Sequence, residues 1–345
     1  MDIKLDIIYL KKRFPLTISR GTRSGGNNLF VSISDGEYTG FGEVCPGKSE
    51  GAETAEEAQE QLEQFLKEVR DFDAPHRVYD QAIEAELSPC ALAGLDIALW
   101  DLKAKKAGMP LYKMLGFSKH LKPTSITLGI MSPEAAQERL PIILEQDGMK
   151  TLKVKLGNPE GIEADKAMYE MVLAYRKTFP ISIRIDANGG WNLNDAQHMM
   201  QWLAERHCEY VEQPLKEGQE RDLPQLFKNR PLPIFVDESC RFASDIPKWA
   251  HAVDGVNMKL MKCGGITGAL RIISTARAHK LQTMIGCMGE SSISIAAGAA
   301  LSGQLDYIDL DSHLNLAPDP AKGAPLIDEC IVPLDVPGHG GSIAL

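Results

Sequence analysis

The pattern of apolar and polar positions divides the chain into two parts. In the first part, apolar stretches at residues 28–34 and 38–44 flank Asp35 and Gly36. An Asp-Gly pair between two such stretches is typical of a tight β-hairpin. Residues 19–26, which are rich in glycine and serine, predict a mobile loop just before this hairpin.

Helical spacing follows the hairpin. Apolar side chains recur at intervals of three and four over residues 52–70 and 89–106, which predicts two helices. Gly108 and Pro110 end the second helix. We therefore expect residues 1–120 to form an α+β domain.

From about residue 122 the pattern changes to short apolar runs separated by helical stretches. The eight runs are residues 125–128, 152–155, 183–186, 210–212, 234–237, 256–259, 283–286 and 307–310. Runs at this spacing fit strand–helix units, and eight such units close a (β/α)8 barrel. An open doubly wound sheet is the alternative, but no glycine-rich phosphate-binding turn follows the first run.

The predicted fold is therefore α/β, a (β/α)8-type barrel with an N-terminal α+β capping domain. We place the capping domain at residues 1–120 and the barrel, which carries the active site, at residues 121–312. Residues 313–345 are expected to return to the capping domain and complete it.

Composition and charge exclude several classes of partner. With 37 Lys and Arg against 47 Asp and Glu, the net charge of −10 argues against nucleic acid. No apolar run reaches 18 residues, so no membrane span is expected, and the alternating start is a strand pattern rather than a signal peptide. The seven cysteines include no Cys-x-x-Cys pair, which predicts reduced thiols, a cytoplasmic protein and no zinc site.

Charged side chains close several of the apolar runs. Asp186, Glu212 and Asp237 end three consecutive runs. The C-terminal ends of barrel strands meet at one face, where the active sites of such barrels lie, and three carboxylates there suit Mg²⁺. The competing interpretation is that each acid caps a following helix, which explains one acid better than three in succession.

Three lysines sharpen this picture. Lys153 and Lys155 are two residues apart on a strand, so both side chains point to the same face. Crowding and burial lower the pKa of an amine, which suits a base near neutral pH. We expect Lys259 to face Lys155 across the cavity. Two lysines that flank a metal-bound substrate fit proton transfer at a carbon next to a carboxylate.

These residues belong to motifs that resemble the muconate-lactonizing-enzyme subgroup of the enolase superfamily over nearly the whole chain. The motifs are Lys153-Val154-Lys155, Asp186-Ala187-Asn188, Val211-Glu212-Gln213-Pro214, Val236-Asp237-Glu238-Ser239, Asn257-Met258-Lys259 with Gly264-Gly265, and the helical residues 93–102.

The resemblance implies roles for these side chains. Asp186, Glu212 and Asp237 would bind Mg²⁺. Lys155 and Lys259 would be the two acid/base residues. Lys153 would help to hold the substrate carboxylate and lower the pKa of Lys155. Asn188 and Glu238 would support the site.

The pair Asp309 and Asp311 indicates which of the reactions of this subgroup the chain resembles. They lie two apart on the last run, and their carboxylates could bind a cation such as an ammonium group. The pair resembles the one with which dipeptide epimerases bind the N-terminus of their substrate. The implied reaction is a 1,1-proton transfer through a metal-stabilised enediolate at the α-carbon of the dipeptide's second residue.

The resemblance favours L-Ala-D/L-Glu from peptidoglycan turnover as the substrate. Arg20 and Arg23 resemble a stretch of L-Ala-D/L-Glu epimerases in which an arginine meets the glutamate side chain, and Met288 is expected to line the pocket. The alternatives are a different dipeptide or another reaction of the subgroup, such as that of an N-acylamino acid racemase or an o-succinylbenzoate synthase. The oligomeric state is open, although homo-oligomers are common among barrels of this kind.

Overall fold

A three-stranded antiparallel sheet begins the chain, and the computed structural model describes it together with the rest of residues 1–343. Its strands are β1 (Asp2–Ile18), β2 (Gly21–Ser34) and β3 (Thr39–Val44), with β2 in the centre. The predicted hairpin between β2 and β3 is confirmed. Asp35 Oδ1 accepts the backbone N–H groups of Glu37 and Tyr38 at 3.1 and 2.9 Å, which closes the turn.

The prediction of a mobile loop at residues 19–26 is wrong. Residues 21–26 belong to β2 and pair with β1, from Gly21 opposite Ile18 to Gly26 opposite Leu10. A side chain at Gly25 would collide with the main-chain oxygen of Leu10. The glycines therefore permit a close approach of two strands, which a sequence pattern does not distinguish from flexibility.

Four helices follow this sheet. They are α1 (Ala55–Leu66), α2 (Pro75–Glu84), α3 (Pro89–Lys106) and α4 (Leu111–Met114). The helices predicted at residues 52–70 and 89–106 are thus confirmed as α1 and α3. Thr54 caps α1 by accepting the N–H of Glu57 at 3.1 Å. Helix α3 packs closely on β3. This contact requires a glycine at residue 42, since a side chain there would collide with the main chain of Gly94.

Eight parallel strands make up the second sheet, and each corresponds to one of the predicted runs. The strands are β4 (Ile126–Leu128), β5 (Thr151–Lys155), β6 (Ser182–Asp186), β7 (Val211–Glu212), β8 (Ile234–Val236), β9 (Gly255–Lys259), β10 (Gln282–Gly286) and β11 (Tyr307–Ile308). They lie side by side in chain order, and Thr124 forms a bridge with Ile308, so the first strand meets the last. This closure confirms the barrel and excludes the open doubly wound sheet.

Helices connect the barrel strands. They are α5 (Pro133–Pro141), α6 (Ile162–Ala174), α7 (Leu193–Ala204), α8 (Leu223–Lys228), α9 (Ile246–Trp249), α10 (Leu260–Cys263), α11 (Ile266–Ala278) and α12 (Ser292–Ala299). Short helical turns lie at Lys48–Glu50, Ile142–Gln146, Tyr175–Lys177, Glu220–Asp222, Ala243–Asp245, Ser302–Gln304 and Ser312–Asn315. Within residues 1–343, no helix is both long and apolar enough to span a membrane.

The C-terminal segment forms two small antiparallel pairs. Strand β12 (Ala321–Lys322) pairs with β15 (Ser342–Ile343), and β13 (Leu326–Ile327) pairs with β14 (Cys330–Ile331). The buried His339 ring contacts the main-chain oxygen of Phe41 at 2.9 Å, and the His339 N–H donates to Asp101 at 2.8 Å. The boundaries at residues 120 and 312 stay predictions, and the last two residues of segment 313–345 lie outside the described residues.

The barrel interior changes character along its axis. At one end, the rings of Tyr210, Phe235 and Tyr307 pack with centroids 4.8 to 5.3 Å apart. At the other end, where the strands finish, the interior holds buried acids and lysines such as Asp186 and Lys153. These aromatic rings fill the barrel beneath the charged side chains. The charged side chains therefore lie at the end of the barrel where active sites are found.

Candidate active site

Three carboxylates converge at the C-terminal ends of consecutive strands. Asp186 is the last residue of β6, Glu212 is the last residue of β7, and Asp237 follows β8 directly. All three side chains are buried, and one oxygen from each lies within 4.8 Å of the others. We call Asp186, Glu212 and Asp237 the carboxylate triad.

The oxygens of this triad fit a hard cation. Asn257 Nδ2 donates to Glu212 Oε1 at 2.7 Å, and Glu212 Oε2 lies 2.8 Å from Lys153 Nζ. Two buried oxygens beside the triad, Asn188 Oδ1 and Glu238 Oε2, have no hydrogen-bond donor among the described residues. Buried oxygens rarely stay unsatisfied, and Mg²⁺ prefers such oxygen ligands. The donor set therefore suits Mg²⁺.

Lys153 lies fully buried among carboxylates. Its Nζ is 2.8 Å from Glu212 Oε2, 2.8 Å from Asp309 Oδ2 and 3.2 Å from Asp186 Oδ2. Burial alone lowers the pKa of Lys153, but these three carboxylates together raise it well above its usual range. The ammonium group thus ties the triad to Asp309.

Lys155 and Lys259 occupy opposite walls of the barrel mouth. Lys155 ends β5 and Lys259 ends β9, and three strands separate them along the sheet in one direction. Lys155 Nζ pairs with Asp186 Oδ2 at 2.5 Å, and Lys259 Nζ pairs with Asp237 Oδ2 at 2.7 Å. Each lysine is only 7% exposed, and both line the same cavity.

The expectation that crowding and burial lower the lysine pKa is wrong for Lys153, and the pKa of Lys259 also lies above its usual value. Burial lowers the pKa of Lys259, but the attraction of Asp237 raises it by more, so the pKa of Lys259 lies above its usual value. Lys153 is raised for the same reason. A strand pattern shows that two lysines share a face, but not how many carboxylates surround each one.

Lys262 is a residue of the site that the sequence reasoning missed. It lies on α10, and its buried Nζ pairs with Asp237 Oδ1 and donates to the main-chain oxygens of Asp237, Cys240 and Asn257 at 2.5, 3.2 and 3.1 Å. The available signal was a lysine within the apolar run that follows Lys259.

Asp309 and Asp311 lie close together but in different surroundings. Asp309 accepts Lys153 Nζ at 2.8 Å and Ser125 Oγ at 2.5 Å, whereas Asp311 accepts the backbone N–H of Thr127 at 2.6 Å. Burial raises the pKa of Asp309, but the attraction of Lys153 lowers it by more, so the pKa of Asp309 lies below its usual value. Burial and Asp309 raise the pKa of Asp311. Among the described residues, Asp311 forms no close ion pair, and Arg139 attracts it only at longer range.

The two arginines expected to contact the substrate differ in their partners. Arg20 Nη2 pairs with Glu238 Oε1 at 2.7 Å, and Arg20 Nη1 donates to the main-chain oxygen of Asn188 at 3.4 Å. The exposed Arg23 forms no ion pair with the described residues. Asn188 in turn donates its backbone N–H to Asp186 Oδ1 at 2.8 Å, so Arg20 is linked to the triad through Asn188.

A cavity of about 580 Å³ lies over these groups, within the size range of small-molecule sites. Strands β1 and β2 cover it from the capping side, and Lys155, Asp237 and Lys259 form its floor. Arg20, Arg23 and Met288 also line it. We call this space the main cavity.

Comparison with known families places the chain. Residues 4–116 match the family described as mandelate racemase / muconate lactonizing enzyme, N-terminal domain, and residues 135–344 match the family described as enolase C-terminal domain-like. The chain belongs to the mandelate racemase/muconate lactonizing enzyme family of the enolase superfamily. The family expected from the motifs is therefore confirmed, and the carboxylates at its barrel mouth are of the kind that suits Mg²⁺.

Two relatives that resemble the chain over most of their length are named as dipeptide epimerases. A hydrophobic dipeptide epimerase of Flavobacteria bacterium (strain MS024-2A) is 59% identical, with 96% of this chain and 95% of the relative covered. An L-Ala-D/L-Glu epimerase of Bacteroides thetaiotaomicron is 34% identical, with 96% and 85% covered.

A solved structure gives a matching fold. The dipeptide epimerase of Enterococcus faecalis V583, complexed with Mg and the dipeptide L-Leu-L-Tyr, superposes with a TM-score of 0.90. It is 32% identical, and the match covers 99% of this chain and 98% of that one.

Proposed function

We propose that this protein is an Mg²⁺-dependent isomerase that epimerises dipeptides at the α-carbon of their second residue. The observation that carries the proposal is the placement of Lys155 and Lys259 on opposite walls of the main cavity, with the carboxylate triad between them. Two bases on opposite faces of one carbon are what a 1,1-proton transfer needs.

The triad would hold Mg²⁺ through Asp186, Glu212 and Asp237. When bound, the ion supplies Lewis-acid stabilisation to a carboxylate that gains negative charge as the neighbouring carbon loses its proton. Lys153, which contacts two members of the triad and Asp309, holds these acids in place from beneath. By resemblance it also helps to hold the substrate carboxylate.

The two lysines would act in turn. Lys155, as the neutral amine, takes the α-proton of one epimer on its side of the cavity, and Lys259, as the ammonium, delivers a proton from the other side. The reverse reaction exchanges their roles and returns the two lysines to their starting protonation states. Because both lysine side chains are nearly buried, the reacting carbon is kept away from bulk water during the transfer.

Asp311 is the group proposed to bind the N-terminal ammonium of the dipeptide. The charge of its neighbour Asp309 is matched by Lys153, whereas the hydrogen-bond donors to Asp311 among the described residues, the Thr127 N–H and the Cys287 thiol, are both neutral. A carboxylate in this state attracts a cation. This assignment separates dipeptides from the substrates of the muconate and succinylbenzoate reactions, which carry no ammonium group.

The second residue of the substrate is proposed to be apolar. Leu16, Ile18 and Met288 provide an apolar wall in the main cavity. Arg20, which was expected to meet a glutamate side chain, is instead matched by Glu238 at 2.7 Å. The strong resemblance to a relative named as a hydrophobic dipeptide epimerase supports the same choice.

Deuterium exchange tests this function. The wild-type enzyme with Mg²⁺ is incubated in D₂O with L-Ala-L-Leu and, separately, L-Ala-L-Glu, and the products are read by mass and by proton NMR. We expect deuterium at the α-carbon of leucine, formation of L-Ala-D-Leu, and loss of both with EDTA. No exchange in either dipeptide would refute epimerisation, whereas faster turnover of L-Ala-L-Glu would refute only the apolar second residue.

Cellular context remains part of the proposal. The seven cysteines are free thiols in the structure, in keeping with the proposed cytoplasmic location. An origin of the substrate in peptidoglycan turnover depends on L-Ala-L-Glu being a substrate, and the glutamate arm of the exchange experiment tests it. A homo-oligomer also stays a prediction.

A further inference from the structure

A second, smaller cavity adjoins the main cavity at the ends of β4, β5, β10 and β11. Its volume is about 70 Å³, and Asp309 and Asp311 form part of its wall. Lys155, Lys259 and Met288 line both cavities, so the two spaces are neighbours at the reacting centre. If Asp311 binds the substrate ammonium, this smaller cavity lies where the first residue of the dipeptide would be.

Two cations from outside the barrel strands line this small cavity. Lys12 comes from β1, and Arg139 comes from α5. Neither forms an ion pair with any of the described residues, in contrast to Lys153, which has three carboxylates around it. Cations without partners in a cleft attract an anionic ligand.

Arg139 is held in position by its packing. Its guanidinium carbon lies 3.6 Å from the centre of the Phe14 ring, which is a close cation–π contact. Its Nη1 is buried and finds no acceptor among the described residues. A buried N–H donor without an acceptor is unfavourable, and a carboxylate would satisfy it.

The charges of a bound dipeptide can be matched in turn. The C-terminal carboxylate is assigned to the triad side of the main cavity, and the ammonium group is assigned to Asp311. Lys12 and Arg139 are then left without a close ion-pair partner among the described residues, since Asp147 and Asp311 attract Arg139 only at longer range. We propose that Lys12 and Arg139 form a subsite for a side-chain carboxylate on the first residue, so that the enzyme favours Asp or Glu there, an inference that rests on the proposed epimerase function.

Matched substrates test this subsite in the wild-type enzyme. The series is L-Glu-L-Leu, L-Gln-L-Leu and L-Lys-L-Leu, in which the size of the first side chain is similar and its charge changes. We expect kcat/KM to be about tenfold higher for Glu than for Gln, the effect of one charge-assisted hydrogen bond, and lowest for Lys. Equal values for Glu and Gln would overturn the subsite.

Three variants locate the effect. Lys12→Met and Arg139→Met are each expected to bring the Glu/Gln ratio of kcat/KM toward one. Lys11→Met is the matched control, since Lys11 is the neighbouring residue on β1, is exposed and lines neither cavity. It should keep the wild-type ratio. A ratio that survives in both Lys12→Met and Arg139→Met would contradict the assignment.

Two further outcomes separate this inference from the proposed function. If all three dipeptides exchange their α-proton at similar rates, the epimerase stands and the subsite fails. If no dipeptide exchanges, both fail. N-succinyl-L-leucine is included because its acyl carboxylate could reach the same cations, and faster turnover of this compound than of L-Glu-L-Leu would overturn the assignment to a first-residue side chain.

Discussion

Lys153→Met probes how the buried charges at the barrel mouth balance one another. Lys153 is 1% exposed and lies within 3.2 Å of oxygens from three acids. Removing its charge leaves the buried Glu212 and Asp309 without a cation partner, while Asp186 keeps Lys155, and an unpaired buried charge costs about 3–5 kcal/mol. For a 345-residue chain the entropy of unfolding is about 0.7 kcal/mol per degree, so the expected fall in Tm without divalent metal is about 4–7 °C.

Mg²⁺ should reverse much of that loss. A divalent cation at the triad supplies the positive charge that the methionine lacks, so the rise in Tm on adding Mg²⁺ is expected to be larger for Lys153→Met than for the wild type. Calorimetry of both proteins in EDTA and in excess Mg²⁺ measures this difference. An equal or smaller rise in the variant would refute the idea that Lys153 and the metal neutralise the same carboxylates.

Lys106→Met serves as the control for this experiment. Lys106 pairs with Asp73 on the surface, at 2.9 Å. Exposed pairs contribute little to stability, so the Tm should change by no more than about 1 °C. Its response to Mg²⁺ should equal that of the wild type.

Substitutions at three further residues test separate parts of the site and fold. Asp311→Asn should lower kcat/KM for dipeptides about 10- to 100-fold, since it removes a charged partner of the ammonium group, and an unchanged value would contradict that role. Lys262→Met removes the donor to Asp237 Oδ1 and to three main-chain oxygens, so calorimetry should show that the free energy of unfolding falls by about 3–5 kcal/mol. Lys262→Arg should restore part of this stability. An unchanged stability would show that Lys262 is not needed to hold Asp237. Burial raises the pKa of Asp96 to about 7, above the unfolded value of about 3.9, so its stabilising contribution is complete below about pH 4 and is lost as the pH rises through about 7. The Tm of Asp96→Asn relative to the wild type should therefore improve between about pH 5 and about pH 8, and a constant difference would refute the shift.

Local patterns predicted the architecture well because each barrel strand is a short apolar run. The eight runs reappear as β4 to β11, and the acids at the ends of three of them meet as the carboxylate triad. These predictions hold because all strands of a parallel barrel finish at the same face. The last residues of neighbouring strands are therefore brought together by the topology.

Features that depend on neighbours in three dimensions could not be predicted from the sequence. The glycines of residues 21–26 serve close strand pairing, which composition does not separate from mobility. The pairing of Arg20 with Glu238 joins residues 218 positions apart. The role of Lys262 depends on main-chain oxygens that converge only when α10 folds back beside Asp237.

The central claim is that Lys155 and Lys259 serve opposite faces of one α-carbon, and stereospecific exchange tests it most directly. Lys155→Ala and Lys259→Ala are each incubated in D₂O with Mg²⁺ and with L-Ala-L-Leu or L-Ala-D-Leu. The two-base arrangement predicts that neither variant epimerises either dipeptide, and that any residual α-deuterium exchange is confined to opposite epimers in the two variants. Epimerisation by either variant at the wild-type rate, or exchange of the same epimer by both, would contradict it.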